Sequence, residues 1–123
     1  MDSDAPLRGR AILVVEDEAV IGLWLEQMLI DLGCASVTIA GTVKQALGLI
    51  ESQKFDAATL DLNLNGLESL PVADALSSRG VPFAFITGYS TDKIDRYSDH
   101  VVLTKPIRDA DLAAAMSQII GKG

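Results

Sequence analysis

Five side chains in this sequence have the types and the placement needed to handle a charged group. In chain order they are Glu16, Asp17, Asp61, Thr87 and Lys105. Clustered carboxylates repel one another and need a cation, and oxygen ligands with open positions suit Mg²⁺, which also binds phosphate. A carboxylate can attack phosphorus to form an aspartyl-phosphate, while a lysine and a hydroxyl bind the phosphoryl oxygens. If the fold brings these side chains together, they predict phosphoryl transfer onto Asp61.

Each of these residues stands at the end of a short apolar run. The predicted strands cover residues 11–15, 36–40, 57–61, 83–86 and 101–103. The predicted helices cover about 19–32, 43–52 and 71–80, a weak polar stretch at 90–97, and a last segment that opens at Asp109. Strands that alternate with helices predict an α/β fold with one doubly wound, five-stranded parallel sheet. Ligands bind beyond the carboxyl ends of such strands, so the five side chains should converge there.

Two of these residues also have ordinary structural explanations. Taken alone, Asp61 at a strand end more often caps a turn. Lys105 alone could be a surface lysine, but it stands before Pro106 at the end of an apolar strand. The combination of four strand ends favours a functional site over either explanation.

Length, charge and cysteine content exclude several classes of protein. The chain has 123 residues, so one domain is expected, predicted at 10–123 after a flexible lead-in at 1–9. The net charge of −7 disfavours nucleic acid and anionic membranes as partners. Cys34 is the single cysteine, which excludes an internal disulfide and a thiolate metal cluster. No signal peptide or membrane-length apolar run is present, so a cytoplasmic location is predicted.

The first helix carries apolar residues on more than one face. At helical spacing, the side chains predicted to point inward are Ile21, Trp24, Leu25, Met28 and Leu32. The second helix should likewise bury Val43, Ala46, Leu47 and Ile50. Leu23 and Ile30 lie on a different face of the first helix, where a second apolar patch suggests a protein partner. Ile107, just after Lys105-Pro106, is predicted to extend that patch.

The order and spacing of these pieces resemble the receiver domain of two-component response regulators, over about residues 10 to 121. The matching stretches are Ile12-Leu13-Val14-Val15-Glu16-Asp17-Glu18, Asp61 after an apolar strand, Thr87-Gly88 and Lys105-Pro106. The resemblance implies a flavodoxin-like sheet with strand order 2-1-3-4-5. The run from Pro82 to Tyr89 is similar to the FAT GUY subgroup of stand-alone alphaproteobacterial receivers, with Ile86 where that subgroup has Ala.

The resemblance also implies a role for each site residue. Asp61 is similar to the phosphoacceptor, and Thr87 and Lys105 to the hydroxyl and lysine that bind the phosphoryl group. Glu16 and Asp17 match the acidic pair that holds Mg²⁺, with Asp17 the direct ligand. The backbone carbonyl of Asn63 stands where the family gives a further metal ligand. The partner implied is a histidine kinase or a histidine phosphotransfer protein, and signalling proceeds through protein contacts.

Two departures from the family pattern concern the switch. The loop after Asp61 lacks the usual Met-Pro pair, and Val102 stands where an aromatic residue is common. Gly88 is predicted to leave space for phosphate to enter. The Tyr89 ring is the nearest candidate to shield the phosphoryl group or to follow it.

Two other function classes share some of these features. A Mg²⁺-dependent phosphatase of the haloacid dehalogenase type also uses an Asp at a strand end, but it needs a second acid two residues later. Here that residue is Asn63, which cannot act as a general acid. A phosphorylation-independent binding module should have lost the acids or the lysine, and this chain keeps them. The sequence therefore favours a signalling phosphoacceptor over an enzyme.

Overall fold

The computed structural model describes residues 7–64, 67–88 and 100–121. Within those ranges no helix is both long enough and apolar enough to cross a membrane. The predicted helix at 90–97 falls outside the described residues, as does Tyr89. Four helices are therefore described rather than the five predicted.

Five parallel strands form the main sheet. They are β1 (Ala11–Val15), β2 (Ser36–Ala40), β3 (Ala57–Asp61), β6 (Phe83–Thr87) and β7 (Val102–Thr104), in the order β2-β1-β3-β6-β7. Counted along the main sheet this is the predicted order 2-1-3-4-5, which confirms the fold class. β3 and β6 are buried at every position, as expected for strands that helices cover on both faces.

The helices follow the strands, and local signals set their limits. They are α1 (Ala19–Asp31), α2 (Val43–Ser52), α3 (Leu70–Ser78) and α4 (Asp109–Gly121). Gly33 and Gly80, both with positive φ, follow the ends of α1 and α3, where a left-handed residue terminates a helix. Pro71 lies in the first turn of α3, where its missing N–H leaves no hydrogen bond unmade.

Two hydrophobic cores lie on opposite faces of the sheet. One contains Leu25, Met28 and Leu29 of α1 with Leu112 and Met116 of α4. The other is formed by residues of α2 and α3 together with Phe83 and Phe85 of β6. Because successive strand residues point to opposite faces, each strand contributes alternately to the two cores.

Two of the side chains predicted to point inward are exposed instead, so those two predictions are wrong. Trp24 is half exposed and Leu47 is 36% exposed, because each lies at the edge of its helix's apolar stripe rather than at its centre. Leu29, at the opposite edge of the α1 stripe, is buried instead. Leu7 falls within the predicted flexible lead-in, yet it is completely buried in the core of α1 and α4, and its carbonyl accepts a hydrogen bond from Arg10 N.

The segment after Asp61 contains a small antiparallel pair rather than a plain loop. Its strands are β4 (Asn63–Leu64) and β5 (Leu67–Glu68). In the sequence, Asn65-Gly66 stands between them, a dipeptide that is typical of tight hairpin turns. That signal was available in the sequence and predicts the hairpin better than a loop.

Candidate phosphoryl-transfer site

The predicted site residues meet at the carboxyl edge of the sheet. Asp61 ends β3, the central strand, and its neighbours β1 and β6 lead into Glu16 and end in Thr87. The backbone ties the edge together: Leu62 N donates to the Ile86 carbonyl at 3.0 Å. Lys105 N donates to the Thr87 carbonyl at 2.8 Å, which fixes the lysine beside the hydroxyl-bearing strand end.

The ammonium of Lys105 lies among three carboxylates. Its Nζ is 3.1 Å from Asp61 Oδ2, 3.2 Å from Glu18 Oε1 and 3.5 Å from Glu16 Oε1. The Asp61 and Glu16 side chains are 5% and 1% exposed, whereas that of Glu18 is 61% exposed. The buried carboxylates of Asp61 and Glu16 therefore form the floor of the site, and the solvated carboxylate of Glu18 forms its rim. The Lys105 ammonium bridges floor and rim.

The two oxygens of Glu16 have different surroundings. Oε2 accepts a hydrogen bond from the backbone N–H of Glu18 at 3.1 Å. Oε1 is buried and has no hydrogen-bond partner among the described residues, although the Lys105 ammonium is within ion-pair distance. A buried carboxylate oxygen without a hydrogen bond is costly and is explained most simply by an absent ligand.

Burial and the neighbouring carboxyl change the protonation of the floor. Desolvation by burial, together with the neighbouring Asp61 carboxyl, raises the pKa of Glu16 from 4.5 to about 7. For Lys105, desolvation lowers the pKa, but the hydrogen bond and attraction to Asp61, with help from Glu16 and Glu18, raise it overall. Without a metal the lysine stays charged, and the Glu16 carboxyl loses its proton near pH 7 rather than near its ordinary pKa of 4.5.

The residues present fit a hard divalent cation. One carboxylate oxygen each from Glu16, Asp17 and Glu18 lie within 4.8 Å of one another. Oxygen ligands of this kind, with room for water, are the preference of Mg²⁺. The buried, hydrogen-bond-free Glu16 oxygen gives the independent sign that a positive ligand belongs there.

A match to a family profile shows which family this chain belongs to. The profile described as the response regulator receiver domain matches residues 12–117. The chain belongs to this family. Receiver domains bind Mg²⁺ in the active site and interact with histidine kinases or phosphotransfer proteins. The FAT GUY subgroup stays a prediction from the sequence.

Three relatives illustrate the match. The chain is 29% identical to the transcriptional regulatory protein PdtaR of Mycobacterium tuberculosis over 98% of its length, and it spans 61% of that protein. It is 42% identical, with a TM-score of 0.78, to the BeF3-activated conformation of SdrG from Pseudomonas melonis Fr1, covering 89% of this chain and 95% of SdrG. It is 28% identical, with a TM-score of 0.79, to the receiver domain of the histidine kinase PA1611 from Pseudomonas aeruginosa, covering 92% of this chain and 98% of that domain. The latter structure has magnesium coordinated in its active-site cleft.

The structure places three of the four remaining predicted site residues near the carboxyl edge of the sheet. Thr87 is buried at the end of β6, and a Cβ added to the exposed Gly88 would meet no atom within 4 Å, so space is open there. The backbone of Asn63 begins β4, two residues after Asp61. Tyr89, the predicted shielding or switch residue, lies outside the described residues.

An apolar groove of about 290 Å³ lies directly beside the site. Residues of α1, including Trp24, line one wall, and Gly88, Lys105, Pro106 and Ile107 line the other. Ile107 was predicted as part of an exposed patch, and that is wrong: it is 5% exposed and belongs to the core of α1 and α4. It contributes to the patch only as part of the groove wall.

The outer face of α1 is more apolar than predicted. Leu23 is 59% exposed and Ile30 is 47% exposed, as expected for a second apolar face. Val20 and Trp24 are exposed too, and sequence reasoning missed both as surface residues. Positions 20, 23, 24 and 30 follow helical spacing, which is the signal that could have found them.

Proposed function

We propose that this receiver accepts a phosphoryl group on Asp61 from a histidine residue of a partner protein and signals through protein contacts. The observation that carries the proposal is the buried Asp61 carboxylate with the Lys105 ammonium 3.1 Å away. A buried carboxylate fixed by an ammonium can act as a nucleophile, and the ammonium can bind the oxygens of an incoming phosphoryl group.

The transfer exchanges one bond to phosphorus for another. A carboxylate oxygen of Asp61 attacks the phosphorus, and the new O–P bond forms as the P–N bond to the donor imidazole breaks. The imidazole nitrogen keeps the electron pair and takes up a proton. We assign the binding of the equatorial oxygens, where charge must be stabilised, to Lys105 and the Thr87 hydroxyl. The backbone hydrogen bond from Lys105 N to the Thr87 carbonyl, which joins neighbouring strand ends, supports this assignment.

Glu16, Asp17 and Asp61 would hold Mg²⁺ with the Asn63 carbonyl, Asp17 as the direct ligand. When bound, the ion offsets negative charge on the transferring group. The chain's own contribution is to bury the floor, which strengthens each electrostatic contact, and to fix the Glu16 carboxylate through the Glu18 N–H.

The partner is proposed to dock beside α1. A donor histidine must reach Asp61, and α1 begins at the same edge of the sheet. The exposed Leu23 and Ile30 offer apolar anchors, and the groove beside Trp24 continues that surface to Lys105. Apolar anchors within a polar rim are what a specific interface needs. The cytoplasmic location stays a prediction from the sequence.

The test is phosphorylation by a small donor such as acetyl phosphate, with Mg²⁺, followed by mass spectrometry of the intact protein. We expect one phosphoryl group on the native chain, none after chelation of the metal, and none on Asp61→Asn. Label on Asp61→Asn would make Asp61 the wrong acceptor. Continuous release of phosphate from an unactivated phosphate ester would instead identify a phosphatase.

A further inference from the structure

Three carboxylates hold the ammonium of Lys105 in this state. It donates to Asp61 Oδ2 and to Glu18 Oε1, and Glu16 Oε1 lies 3.5 Å away at ion-pair distance without a hydrogen bond. An ammonium that moves toward a phosphoryl oxygen on Asp61 must lengthen at least one of these contacts. The question is which of the three carboxylates releases the lysine.

Glu18 is the contact that costs least to break. The Glu16 and Asp61 carboxylates are almost fully buried, so losing their cation would leave charge or polarity stranded away from water. The Glu18 side chain is 61% exposed and can be hydrated where it stands. Exposed ion pairs contribute little free energy, which suits a contact that has to be reversible.

The Glu18 side chain is also not engaged with its own helix. Glu18 is the N-cap residue of α1, a position where a side chain commonly accepts a hydrogen bond from the first turn. Here no such bond forms, and Oε1 accepts from Lys105, 87 residues away in the chain. The main chain of Glu18 meanwhile binds Glu16 Oε2, so this one residue holds two members of the site.

We propose that Glu18 is a positioning residue that holds the Lys105 ammonium at the rim of the site in the unphosphorylated receiver and releases it to an incoming phosphoryl group. This inference rests on the proposed function of Asp61. Glu18 then competes with the phosphoryl oxygens for the same lysine. Removing the pair should make the site easier for an anionic donor to enter, without removing any group that touches the phosphorus.

Three variants separate the ion pair from charge and from fold. Glu18→Gln keeps the size and removes the charge, and Glu18→Asp keeps the charge but shortens the reach by one methylene. Glu51→Gln is the charge-matched control, because Glu51 is exposed near the end of α2, and helices of this fold end away from the site edge. Circular dichroism and urea unfolding check that all four proteins fold alike.

The first measurement needs neither metal nor phosphoryl donor. An amine-acylating reagent is applied to the metal-free proteins, and peptide mass spectrometry gives the rate at Lys105 relative to the exposed Lys54 in the same molecules. We expect a rise of about two- to fivefold in Glu18→Gln and Glu18→Asp, the range that an exposed ion pair supports, and none in Glu51→Gln. An unchanged Lys105 rate in Glu18→Gln would overturn the proposal.

The second measurement is the rate of Asp61 phosphorylation against acetyl phosphate concentration at saturating Mg²⁺. In Glu18→Gln we expect the half-saturating donor concentration to fall about two- to fivefold. If Glu18→Asp behaves as the native protein in both measurements, charge alone acts and the positioning role is wrong. If the native protein is not phosphorylated at all, the proposed function fails. The acylation rates still test whether Glu18 holds the Lys105 ammonium.

Discussion

Two successive strand–helix units of this receiver, β1–α1 and β2–α2, have the same architecture and different uses. Both strands have five residues, they pair in register, and each leads into a helix that begins at the same edge of the sheet. The β2–α2 connection is neutral: Thr42 accepts a hydrogen bond from Gln45 N at 3.0 Å, and Gln45 Oε1 accepts one from Gly41 N at 2.8 Å. The Thr42 bond satisfies a backbone N–H that a helix start leaves unpaired, and the Gln45 bond satisfies the N–H of the residue before the cap.

The β1–α1 connection gives up that stabilisation. Three acids stand there in a row, and the cap residue Glu18 directs its side chain to Lys105 instead of to α1. The outer faces differ in the same sense, since α1 exposes four large apolar side chains and α2 exposes one, Leu47. The candidate site therefore lies in the unit that departs from the capping and the polar surface of its neighbour.

The largest expected effect concerns stability and falls on α2. Ile50 is 2% exposed in the core of α2 and α3, so Ile50→Ala should lower the free energy of unfolding by about 2–5 kcal/mol. Trp24→Ala, on the half-exposed face of α1, should lower it much less, on the order of 1 kcal/mol, but should slow transfer from a kinase. Urea unfolding measures the free energy of unfolding of both variants, and a transfer assay measures the rate of phosphorylation by the kinase. Equal losses of stability would mean that Trp24 belongs to the core after all.

A pH dependence of stability between pH 4.5 and 8 should arise in the β1–α1 unit. Burial raises the pKa of Glu16 in the folded protein to about 7, against 4.5 without that environment. The folded state therefore binds more protons than the unfolded state between these values. The stability that Glu16 contributes is present below pH 4.5 and is lost as the pH rises to about 7.

The measurement is urea unfolding of the metal-free protein at several pH values between 4.5 and 8. Glu16→Gln should remove this part of the dependence of the free energy of unfolding on pH, because the amide does not titrate. Apparent Mg²⁺ affinity of the native protein should change in the opposite sense and rise over the same window, since the ion competes with the Glu16 proton. A Glu16→Gln slope that matches the native one would place the titrating group elsewhere.

Much of this structure follows from local sequence, and the exceptions are contacts over distance. The β-branched run of β1 and the Gly33 signal gave the correct strand and the correct helix end, because both act within a few residues. The meeting of Asp61 and Lys105 was predictable from strand ends alone. The Glu18–Lys105 pair was not, because it joins residues 87 positions apart through side-chain conformations that no pattern specifies. Trp24 was misplaced for a related reason: helical spacing identifies a stripe but not its edges.

Partner contacts should depend on α1 and not on α2. Leu23→Asp places a charge on the proposed docking face and should slow transfer from a cognate kinase about tenfold or more, while transfer from acetyl phosphate is unchanged. Leu47→Asp is the matched control, an exposed leucine on the neighbouring helix. The two variants are compared in both assays. Equal loss with both donors would indicate a folding defect in Leu23→Asp, and an effect of Leu47→Asp alone would move the docking surface to α2.

The smallest expected effect compares the two helix caps. Thr42 makes a side-chain cap bond and Glu18 makes none, although both are N-cap residues at the same edge of the sheet. Thr42→Ala should therefore lower the free energy of unfolding by about 1 kcal/mol. Glu18→Ala should change it by no more than about 0.5 kcal/mol, because it loses only an exposed ion pair and also relieves repulsion among the acids. Urea unfolding at pH 7.5 without metal gives both values. If Glu18→Ala costs as much as Thr42→Ala, its side chain supports α1 itself, and the contrast between a structural cap and a functional one does not hold.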